Sequence, residues 1–387
     1  MKYKRIFLVV LDSLGFGEAP DSIQFNDKDA NTYGSLLKAN LLSLENLNKL
    51  GFDKLSTRNN SNKLGYVTRL LELNKSKDTL SGHWEIMGAI NTKPFVTYDE
   101  KGFPIELIEK LEKVFECKLI GNKSVSGTQI IEELGQQHID NQELIIYTSE
   151  DSVLQLAADE NTFGLDRLYE CCEIARKITL DENYGIGRII ARPFIKNGDS
   201  KFERTGNRKD YAVDPCETTL LDKLIDNNLD VIGVGKIHDI FNGKGIGVSH
   251  KTHSNTEGSN TLLDMINKDF NGLCFVNLVD FDSKAGHRRN CKLYCELLNE
   301  FDIVVGKVLT SINDDDLLMI CADHGNDPNF RGFNHTREMV PLVMYSKSMK
   351  GYGTLRYGNT FANIAKTIAD NFDIALEVGD SYLDYLK

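Results

Sequence analysis

Apolar residues gather along this chain in short runs, each closed by Asp, Gly, Asn or Ser. The runs 6–11 (IFLVVL), 231–234 (VIGV), 273–279 (LCFVNLV), 317–321 (LLMIC) and 340–345 (VPLVMY) show almost no polar alternation. Runs of that length suit strands covered on both faces, hence a parallel sheet between helices. Between the runs the period changes. Leu293, Leu297, Phe301, Val304, Val305 and Val308 recur at helical spacing, as do Phe361, Ile364, Ala365 and Ile368. Strand and helix patterns that alternate in this way predict an α/β fold.

The middle of the chain carries strand and helix patterns of its own. Strands are predicted at 144–147 and 188–191, and helices at 104–115 and 166–178. This stretch falls between the first strand and the later strands that end in acids. It therefore reads as an α/β domain, residues 94–216, inserted into a discontinuous core made of residues 1–93 and 217–387. A length of 387 residues accommodates such a pair.

Charge and composition narrow the partners. Lys and Arg total 45 against 57 Asp and Glu, a net charge of −12, and no basic tract is present. General binding to nucleic acid or to a membrane surface is thus not expected, and no obligate protein partner is predicted. No apolar run approaches a membrane span of about 20 residues. The run 6–11 follows Lys2, Lys4 and Arg5 but is too short for a secretory segment and ends on Asp12. Eight scattered cysteines without a CxxC pair point to reduced thiols and a cytoplasmic location.

Candidate chemistry lies just past the strand ends. Asp12, Asp282 and Asp323 each follow an apolar run. In parallel α/β sheets ligands bind outside the carboxyl ends of the strands, so these carboxylates are expected to converge. His324 follows Asp323, His287 lies five residues after Asp282, and His335 is nearby in sequence. Imidazole mixed with carboxylate suits a divalent ion such as Mn²⁺ or Zn²⁺. A further cluster, residues 78–88 (DTLSGHWEIMG), offers Asp78 or Thr79 as a helix cap and two hydroxyls, Thr79 and Ser81. A hydroxyl at a helix N-terminus beside a metal has the setting of a phosphoryl-accepting nucleophile. On residues alone the two hydroxyls are not ranked.

Four strings go further: Asp12-Ser13 after the first run, 78–85 (DTLSGHWE), 277–289 (NLVDFDSKAGHRR) and 322–328 (ADHGNDP) followed by 335–338 (HTRE). Together with 147–155 (YTSEDSVLQ) they resemble the bacterial phosphopentomutase family. That family belongs to the alkaline phosphatase superfamily and is related to cofactor-independent phosphoglycerate mutases. The resemblance covers essentially the whole chain. It implies an alkaline-phosphatase-like core, with a mostly parallel sheet between helices, and an inserted α/β cap that closes over substrate as a lid. It implies two Mn²⁺ ions, or other divalent metals: Asp12, Thr79, Asp323 and His324 around one, and Asp282, His287 and His335 around the other. Thr79 matches the phosphorylated nucleophile, while the second hydroxyl, commonly Thr in the family, is Ser81 here. Asp151 matches a position that contacts the sugar. Arg188 and Arg192 share one side of a strand, and guanidinium groups grip phosphate bidentately, so both are candidates for substrate binding, with Lys236. Arg204 and Arg208 are further candidates. The implied activity interconverts ribose or 2-deoxyribose 1-phosphate with the 5-phosphate through a pentose 1,5-bisphosphate, primed by glucose 1,6-bisphosphate or a similar compound. A metal-dependent phosphatase or another mutase of the superfamily is the alternative. A non-catalytic metal-binding protein would have no use for the Thr79 hydroxyl.

Overall fold

The computed structural model describes residues 1–56, 64–98, 101–149, 152–181, 183–198 and 201–386. The chain packs as two compact units, Met1–Thr92 with Pro215–Lys387, and Lys93–Asp214.

In the discontinuous unit an eight-stranded sheet is found among the described residues. Its order is Val248–His250, Asp230–Val234, Gly272–Leu278, Arg5–Leu11, Asp316–Cys321, Val340–Tyr345, Tyr66–Leu70 and Gly353–Thr354. The first five are mutually parallel. Arg5–Leu11 and Gly272–Leu278 are buried at every position because helices cover the sheet. The long helix Cys291–Ser311 packs on Thr32–Ala39, Glu45–Leu50 and Asn255–Ile266; Thr79–Ile86 packs on Ile237–Ile240 and Asn363–Asn371. The run at 340–345 departs from expectation: Val340–Tyr345 is antiparallel to both of its neighbours. Its apolar run reports burial, which is the same for either direction, so the sequence carried no sign of the reversal.

Register places the site. Val10 lies opposite Asn277 on one side and Cys321 on the other. The three strands therefore end level, and Asp12, Asp282 and Asp323 leave the same edge of the sheet.

The inserted unit has its own sheet, ordered Leu119–Ser124, Leu144–Thr148, Val153–Asp159, Arg188–Asn197, Lys201–Arg204, with Lys209–Ala212 also paired to Arg188–Asn197. Side chains alternate across it. Leu144, Ile146, Leu154 and Leu156 join the core made with helices Ile105–Phe115 and Leu165–Ile178. Ile145, Tyr147, Ala157 and Phe194 face the opposite core, with Ile130 and Ile131 of helix Gly127–Asn141.

Candidate metal centre

Asp12 and Ser13 turn sharply out of Arg5–Leu11. Ser13 adopts a left-handed φ of 71°, unfavourable for a residue with a side chain. The turn aims its amide at Asp323 Oδ1, 3.0 Å away, and its hydroxyl at Tyr294, 3.1 Å away. Asn277 Nδ2 donates to Asp12 Oδ2 at 2.9 Å. The other oxygen, Asp12 Oδ1, is buried without a hydrogen-bond partner, and so is Asp323 Oδ2. A buried unpaired carboxylate oxygen is costly unless a cation approaches it.

Asp282 and His287 meet through an unusual turn. Phe281–Gly286 form a π-helical turn, and the His287 amide donates to Asp282 O at 2.9 Å. In an α-helix, residues five apart diverge; the wider π turn brings them together, and His287 Nε2 lies 3.1 Å from Asp282 Oδ2. Asn326 Nδ2 donates to Asp282 Oδ1 at 2.8 Å. His335 Nε2 lies 3.5 Å from Asp282 Oδ1 and 3.0 Å from His287 Nε2.

The imidazoles fit a cation. Each Nδ1 is spoken for: His287 by Phe333 O at 3.0 Å, His335 by Lys77 O at 2.9 Å, and His324 by Gly325 O at 3.1 Å. Carbonyls only accept, so in the neutral ring each Nδ1 carries the proton and each Nε2 is left with the lone pair. Two lone pairs facing each other at 3.0 Å, as in His287 and His335, repel unless a positive charge sits between or beside them. The carboxyl and imidazole atoms form two groups of potential ligands: Asp282, His287 and His335, and Asp12, Asp282 and His324. Asp282 thus stands in both groups, a sharing that the sequence reading did not anticipate. Asp323 stands beside the second group, its Oδ2 3.3 Å from His324 Nε2.

The electrostatics are those of crowded carboxylates. Burial, with Asp323 and Asp282 nearby, pushes Asp12 up to about 7. Burial works in the same direction on Asp323, but His324 and His83 outweigh it and hold that carboxyl below its ordinary range. Burial opposes a charge on His324, yet Asp323, Asp282 and Asp12 push it up to about 9.

Thr79 begins helix Thr79–Ile86. Its Oγ1 lies 3.3 Å from His324 Nε2. Ser81 is turned elsewhere, its hydroxyl donating to Asp78 Oδ2 at 2.9 Å. Asp78 caps the helix thoroughly. Its Oδ1 accepts from Leu80 N at 3.0 Å and Ser81 N at 3.1 Å, and its carbonyl accepts from Gly82 N at 3.0 Å. Of the first four helical amides only that of Thr79 escapes these bonds, so the helix start offers few free N–H groups to a phosphate.

Several residues of the site were not singled out from sequence. His83 is fully buried, with Nδ1 2.9 Å from Thr79 O and 3.1 Å from Asp323 Oδ2. Arg337 is also buried; it donates to Asp21 Oδ2 at 2.9 Å, to Glu72 Oε2 at 2.5 Å and to Ser76 O at 2.9 Å. It thereby fastens the segment before Thr79 to the one that carries His335. Both residues lay inside the recognised strings, but nothing in the pattern told a ligand from a supporting group.

The substrate candidates are divided between the two units. Lys236 is exposed just past Asp230–Val234. Gly235, with φ of 80°, makes that turn; a Cβ there would lie 2.5 Å from Asn277 O. Arg188 and Arg192 are partly buried on Arg188–Asn197 of the inserted unit, and Arg192 Nε donates to Gln155 at 2.9 Å. Burial, with Arg208 nearby, brings Arg192 down to about 10. Asp151 lies outside the described residues.

Residues 4–376 match the Metalloenzyme superfamily. A phosphopentomutase of Agathobacter rectalis is 50% identical over 393 aligned positions, covering all of both chains. The chain belongs to the phosphopentomutase family. A second phosphopentomutase, from Clostridium perfringens, is 48% identical over all of this chain and 99% of its own. Among solved structures, the PH0037 protein of Pyrococcus horikoshii is similar in fold, with a TM-score of 0.51 at 14% identity, over 98% of this chain and 100% of that one. The phosphopentomutase family consists of isomerases, so the chain is a metal-binding enzyme of that class with an α/β fold. Among the described residues no helix is long and apolar enough to cross a membrane.

Proposed function

We propose that this enzyme interconverts ribose 1-phosphate or 2-deoxyribose 1-phosphate with the corresponding 5-phosphate in the cytoplasm. The reading carries over what the relatives' name says of them. The observation in its favour is the Thr79 hydroxyl, held at a helix start 3.3 Å from His324 Nε2 and beside three buried carboxylates. Asp12, Asp282, His287, Asp323, His324 and His335 would hold two divalent cations, with Mn²⁺ favoured over Mg²⁺ by three imidazoles. When bound, such ions neutralise charge on the transferring phosphoryl group and make the Thr79 hydroxyl more acidic.

The side chains do the rest. Thr79 carries the phosphoryl group in the resting enzyme. The free hydroxyl of a pentose phosphate attacks that phosphorus; the sugar O–P bond forms as the Oγ1–P bond breaks, and the sugar's proton passes to Oγ1. The resulting pentose 1,5-bisphosphate then presents its other phosphate, and the reverse transfer restores phospho-Thr79. Glucose 1,6-bisphosphate would load Thr79 initially. Asp151 is proposed to bind the sugar, and Arg188, Arg192 and Lys236 its phosphate. His83 keeps Asp323 oriented, and Asn277 does the same for Asp12.

Phosphorus NMR tests the reading. Protein supplied with Mn²⁺, glucose 1,6-bisphosphate and ribose 5-phosphate should build up ribose 1-phosphate. Release of inorganic phosphate in its place would identify a phosphatase.

A further inference from the structure

A cleft of about 560 Å³ lies in the discontinuous unit, and none of the metal-centre or substrate residues assigned above lines it. Its walls come from Phe16, Tyr33, Lys54, Arg69, Arg356 and Tyr357, among others. Its charge runs against the rest of the molecule. The chain carries −12 overall, yet among the described residues three cations and no Asp or Glu line this cleft. Nor does Lys54, Arg69 or Arg356 pair with a carboxylate among those residues. Cations that serve only solubility are free to mix with acids. Three gathered in one concavity and left unneutralised mark a place for an anion.

The cations are positioned by backbone. Lys54 lies on the 3-10 turn Phe52–Leu55 and Arg69 on the strand Tyr66–Leu70. Thr68 Oγ1 donates to Arg356 O at 2.7 Å, which ties the third cation's backbone to that same strand. The cleft also offers aromatic surface. Phe16 and Tyr33 stack at 4.2 Å to make one wall, and Tyr357 presents a ring that is 59% exposed. An exposed tyrosine beside guanidinium groups that pair with no carboxylate among the described residues combines a stacking face with phosphate donors. The volume suits a ligand of nucleotide size.

We propose that this cleft binds a nucleoside phosphate, its phosphate against Lys54, Arg69 and Arg356 and its base against Tyr357. The wall is hydrogen-bonded to the segments that carry His335 and Asn326. Gly17 N donates to Glu338 at 3.1 Å, and Asn31 N donates to Asp327 at 2.9 Å, next to the Asn326 that holds Asp282.

Equilibrium dialysis decides the matter. Metal-loaded protein is saturated with ribose 5-phosphate, so that the catalytic site is occupied, and dialysed against radiolabelled AMP. Saturable binding of one AMP per chain is expected. The double variant Lys54→Ala/Arg356→Ala should weaken it at least about tenfold while pentose phosphate interconversion is unchanged. Tyr357→Ala should weaken AMP at least about threefold and leave binding of inorganic phosphate unaltered. No saturable AMP binding, undiminished binding in the double variant, or inorganic phosphate displacing AMP as effectively as GMP does would each overturn the proposal. Because the readout is binding outside the catalytic site, its failure leaves the assignment of the mutase activity standing.

Discussion

Thr79 and Ser81 stand two positions apart on one helix, and their hydroxyls have opposite employments. That of Thr79 faces His324, while that of Ser81 is spent on Asp78. Thr79→Ala should abolish both turnover and covalent labelling by glucose 1,6-bisphosphate. Ser81→Ala should keep both, at a reduced rate, because only a cap contact is lost. Digestion and mass spectrometry after labelling locate the phosphate; phosphate on Ser81 would refute the assignment. His83 makes a different prediction. Its N–H is the neighbour of an otherwise unpartnered Asp323 oxygen, so His83→Ala should lower metal affinity by about 10- to 100-fold without removing a ligand. Competition against a metal-chelating dye measures this, and unaltered affinity would reduce His83 to packing. The convergence of these acids and imidazoles was legible because they cluster just past strand ends. The supporting set was not: a buried His and a buried Asn look the same in sequence whether they steady a ligand or fill the core.

At the scale of elements, the site depends on how closely the helix Thr79–Ile86 meets the strand end at Asp323. Gly82 permits that approach: a Cβ there would lie 2.1 Å from Asp323 O, an impossible contact. Gly82→Ala must push helix and strand end apart, displacing Thr79 and Asp323 together. The expected cost is on the order of 1–3 kcal/mol in unfolding free energy, with loss of turnover beyond what stability explains. Denaturant titration alongside an activity assay checks it; a stable, fully active variant would show that the helix can shift freely. Strands and helices of this unit were readable because unbroken apolar runs and 3.6-residue spacing report burial directly. Three features were beyond that code. The direction of Val340–Tyr345 depends on how the chain returns. The π turn at Phe281–Gly286 depends on tertiary contacts that outweigh local preference. The left-handed Ser13 depends on its bonds to Asp323 and Tyr294.

Across the whole molecule, buried charges join segments distant in sequence. Glu338 accepts hydrogen bonds from Gly17, from Thr32 and from Thr336. Burial pushes it up to about 7, from an ordinary 4.5, although the Thr32 and Thr336 bonds oppose the rise. The folded state therefore binds this proton more tightly than the unfolded chain. Its stabilisation is complete below the unfolded value and is lost as pH rises through the folded one. Stability should thus fall between about pH 5 and pH 7.5, by on the order of 1–3 kcal/mol, and Glu338→Gln should flatten that part of the profile. Thermal unfolding across the range compares the two; parallel profiles would exclude Glu338 as the source. The inserted unit gives a separate prediction. Arg188→Ala should raise the KM for ribose 5-phosphate, by about 2–4 kcal/mol in binding if the phosphate pair is desolvated, with metal content intact. Loss of metal would place Arg188 in the metal centre instead. The interruption of the core at Thr92 also sets an order of events during synthesis. Lys93–Asp214 is contiguous and can collapse as soon as it clears the ribosome. The first strand, Arg5–Leu11, cannot: its two neighbours in the sheet begin at Gly272 and Asp316. Ser13 waits 310 positions for Asp323. For most of translation this apolar strand is an unpaired edge, exposed to other nascent chains or to a chaperone, and the metal centre is completed last.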